Sequence, residues 1–389
     1  MASILIINLP WSGHVAPTLP LAEALVKRGH KVSYINAEEY RGQIEKTGAH
    51  FIPYQEGAMA HKKTGKIYPA AYDTALFQDE KFDLLIYDFF FFPGTRIAEI
   101  LGIPSVRVFS QMAWNKQRIS QATPYFVLCL LAVNALVMPK RNVKHMGLTK
   151  NNRTIIRSVL LDKPALNIVN VPKAFQVKSE TYSDDYQFVA LPYDDLVDHI
   201  SSDDYVATSV SQTNRGRIPY DKMKLPIVYV SLGSMYTSKS FLKKCIGAFG
   251  NKDLSVVINT AKVPPAALGE LPDNIYAYSY VPQLEVLQHV DVFVTHCGAN
   301  STNEALYFGV PMVGMPYLFD QEFNANQVKR LGLGTRISIV FSGKKRLYNA
   351  VQEVLQSKTI QEQTKAMQNR LKDEGTVEDA VARIEDLLA

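Results

Sequence analysis

Two histidines and a scatter of acids and small polar residues stand where apolar runs of this chain end. His14 lies in Trp11-Ser12-Gly13-His14, just after the run Ser3 to Leu9, and Asp88 follows FDLLIY, Phe82 to Tyr87. His296 follows DVFVT, Asp291 to Thr295, and is itself followed by Cys297-Gly298 and the polar run Ala299-Asn300-Ser301. A short β-branched strand, a glycine turn and a helix start offer an anion unpaired backbone N–H groups and the positive end of a helix dipole. Imidazole keeps an N–H in either charge state, so His296 suits a phosphate oxygen there. Ser234, after the strand Ile227 to Ser231 and Gly233, can donate to the same anion from another side. A diphosphate is the ligand these residues fit.

Ser301 and Glu304 have the spacing of a capping box, which would use both side chains on the helix's own first turn. The same carboxylate could instead accept from the vicinal hydroxyls of a ribose, and spacing does not choose between the two. His14 and Asp88 share a rim for a topological reason. Parallel strands point their carboxyl ends into one crevice.

The elements that must position these residues alternate as strand and helix. Ser3 to Leu9, an apolar stripe through Leu19, Ala22, Leu25 and Val26 that stops at Gly29, and His30 to Asn36 form a βαβ unit. Phe82 to Tyr87, a helix over Thr95 to Leu101, and Pro104 to Phe109 extend it. The first turn lacks G-x-G-x-x-G, which argues against a dinucleotide. Ala113 to Tyr182 reads as rich in helix, and Phe188 to Leu191 as the last strand of this half.

A polar stretch from Pro192 to Pro226 separates a second alternating half: strands Ile227 to Ser231, Leu254 to Asn259, Ile275 to Tyr278, Asp291 to Thr295 and Val310 to Met315, with helices over Phe241 to Phe249 and Gln321 to Leu331. The division expected is residues 1–205, a linker 206–225, and 226–389, with the last helix free to cross back to the first domain. At 389 residues the chain suits two cores. A net charge of +5 is mild solubilising charge for this length, with no nucleic-acid footprint. Cys129, Cys245 and Cys297 have no paired spacing, so neither a disulfide framework nor a zinc site is expected, and a reducing cytoplasm is. Pro124 to Pro139 is the most apolar stretch and falls short of the ~20 residues that span a bilayer. It reads as a core helix or a pocket wall, with peripheral membrane contact as the most its basic sequel, Lys140 to Arg157, would support.

The region from Tyr280 to Gln321 resembles the nucleotide-sugar signature of the UDP-dependent glycosyltransferases that modify small molecules, a group holding plant secondary-product enzymes and bacterial macrolide glycosyltransferases. The likeness rests on Pro282-Gln283, the HCGANSTNEA block, Gly309-Val310-Pro311 and Asp320-Gln321, and extends to GHVAPTLPLAEAL (Gly13 to Leu25) and VSLGS (Val230 to Ser234). Tyr280 stands where the plant pattern has Trp, and the segment from Gln283 to His296 is two residues shorter than in plants, which suggests a bacterial member.

The resemblance implies a GT-B fold: α/β, two Rossmann-like parallel-sheet domains with an interdomain cleft, the first for the acceptor and the second for a UDP-sugar. It implies that His14 is the general base and Asp88 its orienting partner. Tyr280, Val281 and Gln283 fall at the uracil and ribose end, and Glu304 on the ribose. Ser234, His296, Gly298, Asn300 and Ser301 surround the diphosphate, while Asp320 and Gln321 meet sugar hydroxyls. Phe89, Phe90, Phe91, Trp114 and Phe126 are candidate acceptor contacts, with core packing as the alternative.

The activity implied is inverting transfer of a hexose, glucose first, to a hydroxyl of a flavonoid, phenol or macrolide, without metal or other cofactor, by a cytoplasmic monomer or weak dimer. A cell-envelope N-acetylglucosaminyltransferase or UDP-sugar epimerase on the same fold, and a UDP-sugar-binding protein without turnover, are the alternatives.

Overall fold

The computed structural model describes residues 1–54, 81–91, 93–115, 162–193, 218–233, 237–317 and 320–389. The chain divides into two compact units, Met1–Leu191 with Glu374–Ala389, and Pro192–Asp373.

In the first unit the strands are β1 (Ser3–Ile7), β2 (Lys31–Asn36), β3 (His50–Pro53), β4 (Leu84–Asp88), β5 (Ser105–Phe109), β6 (Leu166–Val169) and β7 (Tyr186–Phe188). All pair in parallel, in the order β3-β2-β1-β4-β5-β6-β7. Strands covered on both faces must be apolar throughout, and β4 and β5 are buried at every position. The described helices here are α1 (Ser12–Val15), α2 (Leu19–Lys27), α3 (Arg41–Lys46) and α4 (Gly94–Leu101).

In the second unit β8 (Ile227–Ser231), β9 (Ser255–Asn259), β10 (Ile275–Tyr278), β11 (Val292–Thr295), β12 (Met312–Gly314) and β13 (Gly334–Arg336) form a parallel sheet ordered β10-β9-β8-β11-β12-β13. Its described helices are α5 (Lys239–Phe249), α6 (Gln283–Leu287), α7 (Ala299–Phe308), α8 (Asp320–Arg330), α9 (Lys344–Gln356) and α10 (Lys358–Leu371). Val228, Val230, Phe241, Leu242, Val256 and Val351 belong to the core that closes one face of this sheet.

The final helix, α11 (Val377–Asp386), buries Val377, Ala380, Val381 and Ile384 and packs on α2, β6 and β7 of the first unit. A capping box starts it: Thr376 Oγ1 accepts from the Asp379 N–H at 3.1 Å, and Asp379 Oδ2 accepts from the Thr376 N–H at 2.7 Å. His30 Nε2 lies 3.2 Å from Glu385 Oε1, and Ala190 N–H donates to Gly375 O at 2.8 Å.

The structure adds to the sequence reading at three places. Of the stretch read as rich in helix, Ala113 to Tyr182, residues 116–161 lie outside the described residues, and the described parts, 113–115 and 162–182, carry β6 and a 3-10 turn, Ser179–Thr181, and no α-helix. The last strand is Tyr186–Phe188, earlier than Phe188 to Leu191, because β6 offers it a partner and the Ala190 N–H has left the ladder for Gly375. Strands β3 and β13 had no expected counterpart: HFIP and GTR are too short and mixed to announce themselves, and each is a strand by virtue of the neighbour it pairs with. Pro124 to Pro139, the basic run after it and Cys129 lie outside the described residues. Cys245 and Cys297 are buried free thiols. Among the described residues no helix is long and apolar enough to cross a membrane.

Candidate active site

In each unit the strand order reverses beside the first strand, between β1 and β4 and between β8 and β11. Successive crossovers leave that point in opposite directions, which opens a crevice at the carboxyl ends of the two strands. His14 and Asp88 flank the first crevice. Gly233 and the His296-Cys297-Gly298 turn flank the second.

In the first crevice His14 Nδ1 lies 2.7 Å from Asp88 Oδ2 and 3.0 Å from Ser110 Oγ. The Asp88 side chain is 1% exposed and that of His14 14%. Asp88 Oδ1 accepts the Phe90 N–H at 2.8 Å, so both carboxylate oxygens are engaged. A lone pair on Nδ1 would face that carboxylate, so the proton sits on Nδ1 and Nε2 keeps its lone pair.

The backbone of the turn is held from within. Asn8 Nδ2 donates to His14 O at 2.8 Å and lies 3.0 Å from both Thr18 Oγ1 and Tyr34 OH, while Asn8 Oδ1 accepts the Leu9 N–H at 2.7 Å. Asn36 Nδ2 and Tyr54 OH both donate to Asn8 O. Removing one partner from such a buried network costs about 1–3 kcal/mol. Sequence reasoning missed Asn8 and Ser110. Their signal was a polar residue at the mouth of an apolar strand, Asn8 after SILII and Ser110 after SVRVF.

Rings surround the imidazole. Trp11 meets it edge-on at 5.0 Å between centroids, Phe90 is tilted at 5.8 Å, and Phe89 lies nearly parallel at 6.2 Å. Phe90 is half-buried and Trp11 is 36% exposed, whereas Phe89, Phe91 and Trp114 are buried. Phe91 packs into the core with Leu5, Leu85 and Ile97. Phe126 lies outside the described residues. Trp11 was not among the expected acceptor contacts.

In the second unit the turn after β11 is shaped by two glycines. A Cβ on Gly233, whose φ is +70°, would stand 3.1 Å from His296 Cε1, and one on Gly298 would stand 2.6 Å from Nε2. The imidazole therefore lies against both backbones, with Nε2 over the cap of α7. Burial lowers its pKa from 6.5 to about 4, so it is a neutral imidazole at pH 7.

Cys297 adopts a left-handed φ of +60°. Such a backbone costs about 1–3 kcal/mol in a non-glycine residue. Its carbonyl accepts from Asn324 Nδ2 at 2.9 Å, its N–H donates to Thr295 Oγ1 at 3.2 Å, and its thiol sits where a Cβ on Gly314 would come within 2.9 Å. These contacts hold the bend between His296 and the start of α7.

Helix α7 begins at Ala299 with Gly298 as its cap, and no side chain of the cap residue bonds its first turn. No capping box forms at Ser301 and Glu304, because Ser301 already lies inside the helix. Both side chains instead take the amide of Gln283, whose Nε2 donates to Ser301 Oγ at 3.0 Å and Glu304 Oε2 at 2.5 Å. Tyr229 OH donates to Gln283 Oε1 at 3.2 Å and fixes the sense of the amide. Burial raises the Glu304 carboxyl from 4.5 to about 7, against the lowering effect of Gln283. Tyr280 is half-buried and Val281 buried, between β10 and α6. Asp320 and Gln321 open α8, and Gln321 Oε1 accepts the Tyr317 N–H at 2.9 Å. Asn300 lies in the first turn of α7. Ser234 lies outside the described residues.

The second unit thus gathers Tyr280, Gln283, His296, Gly298, Asn300, Ser301, Glu304, Asp320 and Gln321 onto the carboxyl-end turns of one parallel sheet, and the first gathers His14 and Asp88 in the same way. This is the fold of the GT-B glycosyltransferases. Residues 224–379 match the family described as UDP-glucoronosyl and UDP-glucosyl transferase. The chain is 30% identical to the NDP-glycosyltransferase YjiC of Bacillus subtilis (strain 168), over 98% of this chain and 96% of that protein. It is 27% identical to the oleandomycin glycosyltransferase of Streptomyces antibioticus, over 87% of this chain and 79% of that protein. The crystal structure of the glycotransferase of kitacinnamycin superposes with a TM-score of 0.78 at 25% identity, covering 100% of this chain and 99% of that one. The chain belongs to the UDP-glucoronosyl and UDP-glucosyl transferase family and is a glycosyltransferase of it.

Proposed function

We propose that this glycosyltransferase moves glucose from UDP-glucose, with inversion, to a hydroxyl of a hydrophobic small molecule such as a phenol, a flavonoid or a macrolide. The observation that carries this reading is the His14–Asp88 contact of 2.7 Å at the mouth of a parallel sheet, with Nε2 left to take a proton. In the step envisaged the acceptor oxygen attacks the anomeric carbon as its proton passes to His14 Nε2. The bond from that carbon to the β-phosphate oxygen breaks, and the electron pair leaves with UDP. Asp88 stabilises the imidazolium formed.

On the donor side the start of α7 and the neutral N–H of His296 meet the diphosphate as its charge grows, in the manner of an oxyanion hole. Glu304, held by Gln283, accepts from the ribose hydroxyls, Tyr280 and Val281 flank the base, and Asp320 and Gln321 address the sugar. Phe90 and the half-open face of Trp11 beside His14 support an apolar acceptor. So does the Streptomyces relative, named for oleandomycin. In this reading the helix dipole and the imidazole N–H meet the leaving diphosphate, and no metal is invoked.

A mass-spectrometric screen of phenols, flavonoids and macrolides against UDP-glucose and UDP-N-acetylglucosamine, with and without EDTA, tests the substrates and the metal together. Glucosylated product unaffected by EDTA is expected. Transfer only of N-acetylglucosamine, no product from any acceptor, or abolition by EDTA each overturns the part it addresses. His14→Ala should slow transfer by about 10²- to 10⁴-fold with UDP affinity unchanged, and lost UDP affinity would mean that His14 serves the donor.

A further inference from the structure

Asp88 is not alone on the far side of His14. Ser110 Oγ lies 3.0 Å from the same nitrogen, at the end of the next strand. Strands β4 and β5 pair with Asp88 opposite Val108, so Ser110, two residues on, stands over the same edge of the sheet as the carboxylate. Its residue is 4% exposed. The three rings around His14 set the plane of the imidazole but offer it no polar contact. Its rotation within that plane is set by what meets Nδ1, and those groups are Asp88 and Ser110.

We propose that Ser110 is a positioning residue for His14: its hydroxyl accepts from Nδ1–H alongside Asp88, keeps Nε2 turned outward, and helps to stabilise the imidazolium that transfer produces. This deepens the reading of His14 as the base and rests on it. The direction of the bond follows from the carboxylate. With Asp88 Oδ2 at 2.7 Å the nitrogen must carry a hydrogen, so the serine oxygen meets an N–H and accepts. A serine that donated to Nδ1 would instead favour the tautomer with its proton on Nε2, which cannot take one from an acceptor.

The other groups facing this site are few and their charges are clear. Asp88 comes from β4. Tyr34 comes from β2, where its hydroxyl lies 2.7 Å from Thr18 Oγ1 and burial keeps it protonated. Trp11, Phe89 and Phe90 are uncharged. A change at Ser110 is therefore read by His14 through one lost acceptor.

The test uses the full chain and two readouts. Histidine-labelled protein carries eight imidazoles, and the resonance lost in His14→Ala identifies His14, whose titration NMR follows without any substrate. Ser110→Ala should lower the proton affinity of His14 by about threefold to tenfold. With UDP-glucose and a flavonol acceptor, it should lower kcat by a similar factor, move the acid limb of the rate profile to lower pH, and leave KM for UDP-glucose unchanged. Ser110→Thr, which keeps the hydroxyl, should restore both readouts.

A folded Ser110→Ala protein whose His14 titrates as in the parent overturns the proposal, and so does one whose proton affinity or kcat rises, the sign of a hydroxyl that donates. The parent reading fails separately. His14→Ala that transfers glucose like the unaltered enzyme removes the base, whereas an unaffected Ser110→Ala beside an inactive His14→Ala removes only the serine.

Discussion

Replacing Gly298 by Ala tests the donor side at one atom. The backbone there, φ −60° and ψ 152°, is open to any residue, so the change brings no conformational strain. What it brings is a Cβ 2.6 Å from His296 Nε2, 3.1 Å from Cε1 and 3.4 Å from Cδ2. A normal contact needs about 3.4 Å, so Nε2 must retreat by about 0.8 Å. Gly233 also lies close to the ring, an added Cβ there standing 3.1 Å from Cε1. Whichever way the ring gives, its N–H moves away from the start of α7.

A hydrogen bond to a charged group contributes about 1.5–3 kcal/mol, so the dissociation constant for UDP should rise roughly 10- to 100-fold. Stability should fall by only about 1 kcal/mol, the cost of placing Ala, a much poorer cap than Gly, at the N-cap. Isothermal titration with UDP, beside a thermal melt, measures both. The cause is checked by a cycle: His296→Ala should weaken UDP by a similar factor, and adding Gly298→Ala to it should cost little more. A Gly298→Ala protein that melts normally and binds UDP within about twofold of the parent refutes the placement of His296 on the diphosphate.

Two further outcomes follow from other contacts. Glu304 carries a folded pKa of about 7 against 4.5, so the unliganded protein should lose stability as pH rises through that interval, while UDP affinity should rise over it as the carboxylate becomes available to the ribose. Urea melts and UDP titrations from pH 5 to 8 measure this, and a Glu304→Gln variant that kept either slope would disprove the assignment. Thr376→Ala removes the cap of α11 and should cost about 1 kcal/mol in urea denaturation with UDP affinity unchanged; no shift in midpoint would mean that α11 contributes little to the first unit.

DVFVTHCGANSTNEA was legible because a buried parallel strand must be apolar, a tight turn into a helix selects glycine, and an uncapped helix start is itself an anion site. IVYVS and IYAY matched the observed strands β8 and β10 residue for residue, since short β-branched and aromatic runs bounded by polar turns have few other uses. His14 and Asp88 could be placed on one rim by topology alone.

Tertiary structure decided what depends on residues far apart along the chain. The 2.7 Å contact between His14 and Asp88 joins positions 74 apart, and Ser110 and Asn8 reach His14 from strand ends whose polar residues gave no sign of which partner they would meet. Gln283 reaches across from α6 to hydrogen-bond the Glu304 carboxylate, and α7 starts at a Gly298 cap rather than a Ser301–Glu304 capping box, a point that spacing within α7 left open. Strands β3, β6 and β13 exist because a neighbour completes their hydrogen bonds. Periodicity records which face of an element is buried; partners, registers and the direction of a side chain's hydrogen bonds come only from what packs against it.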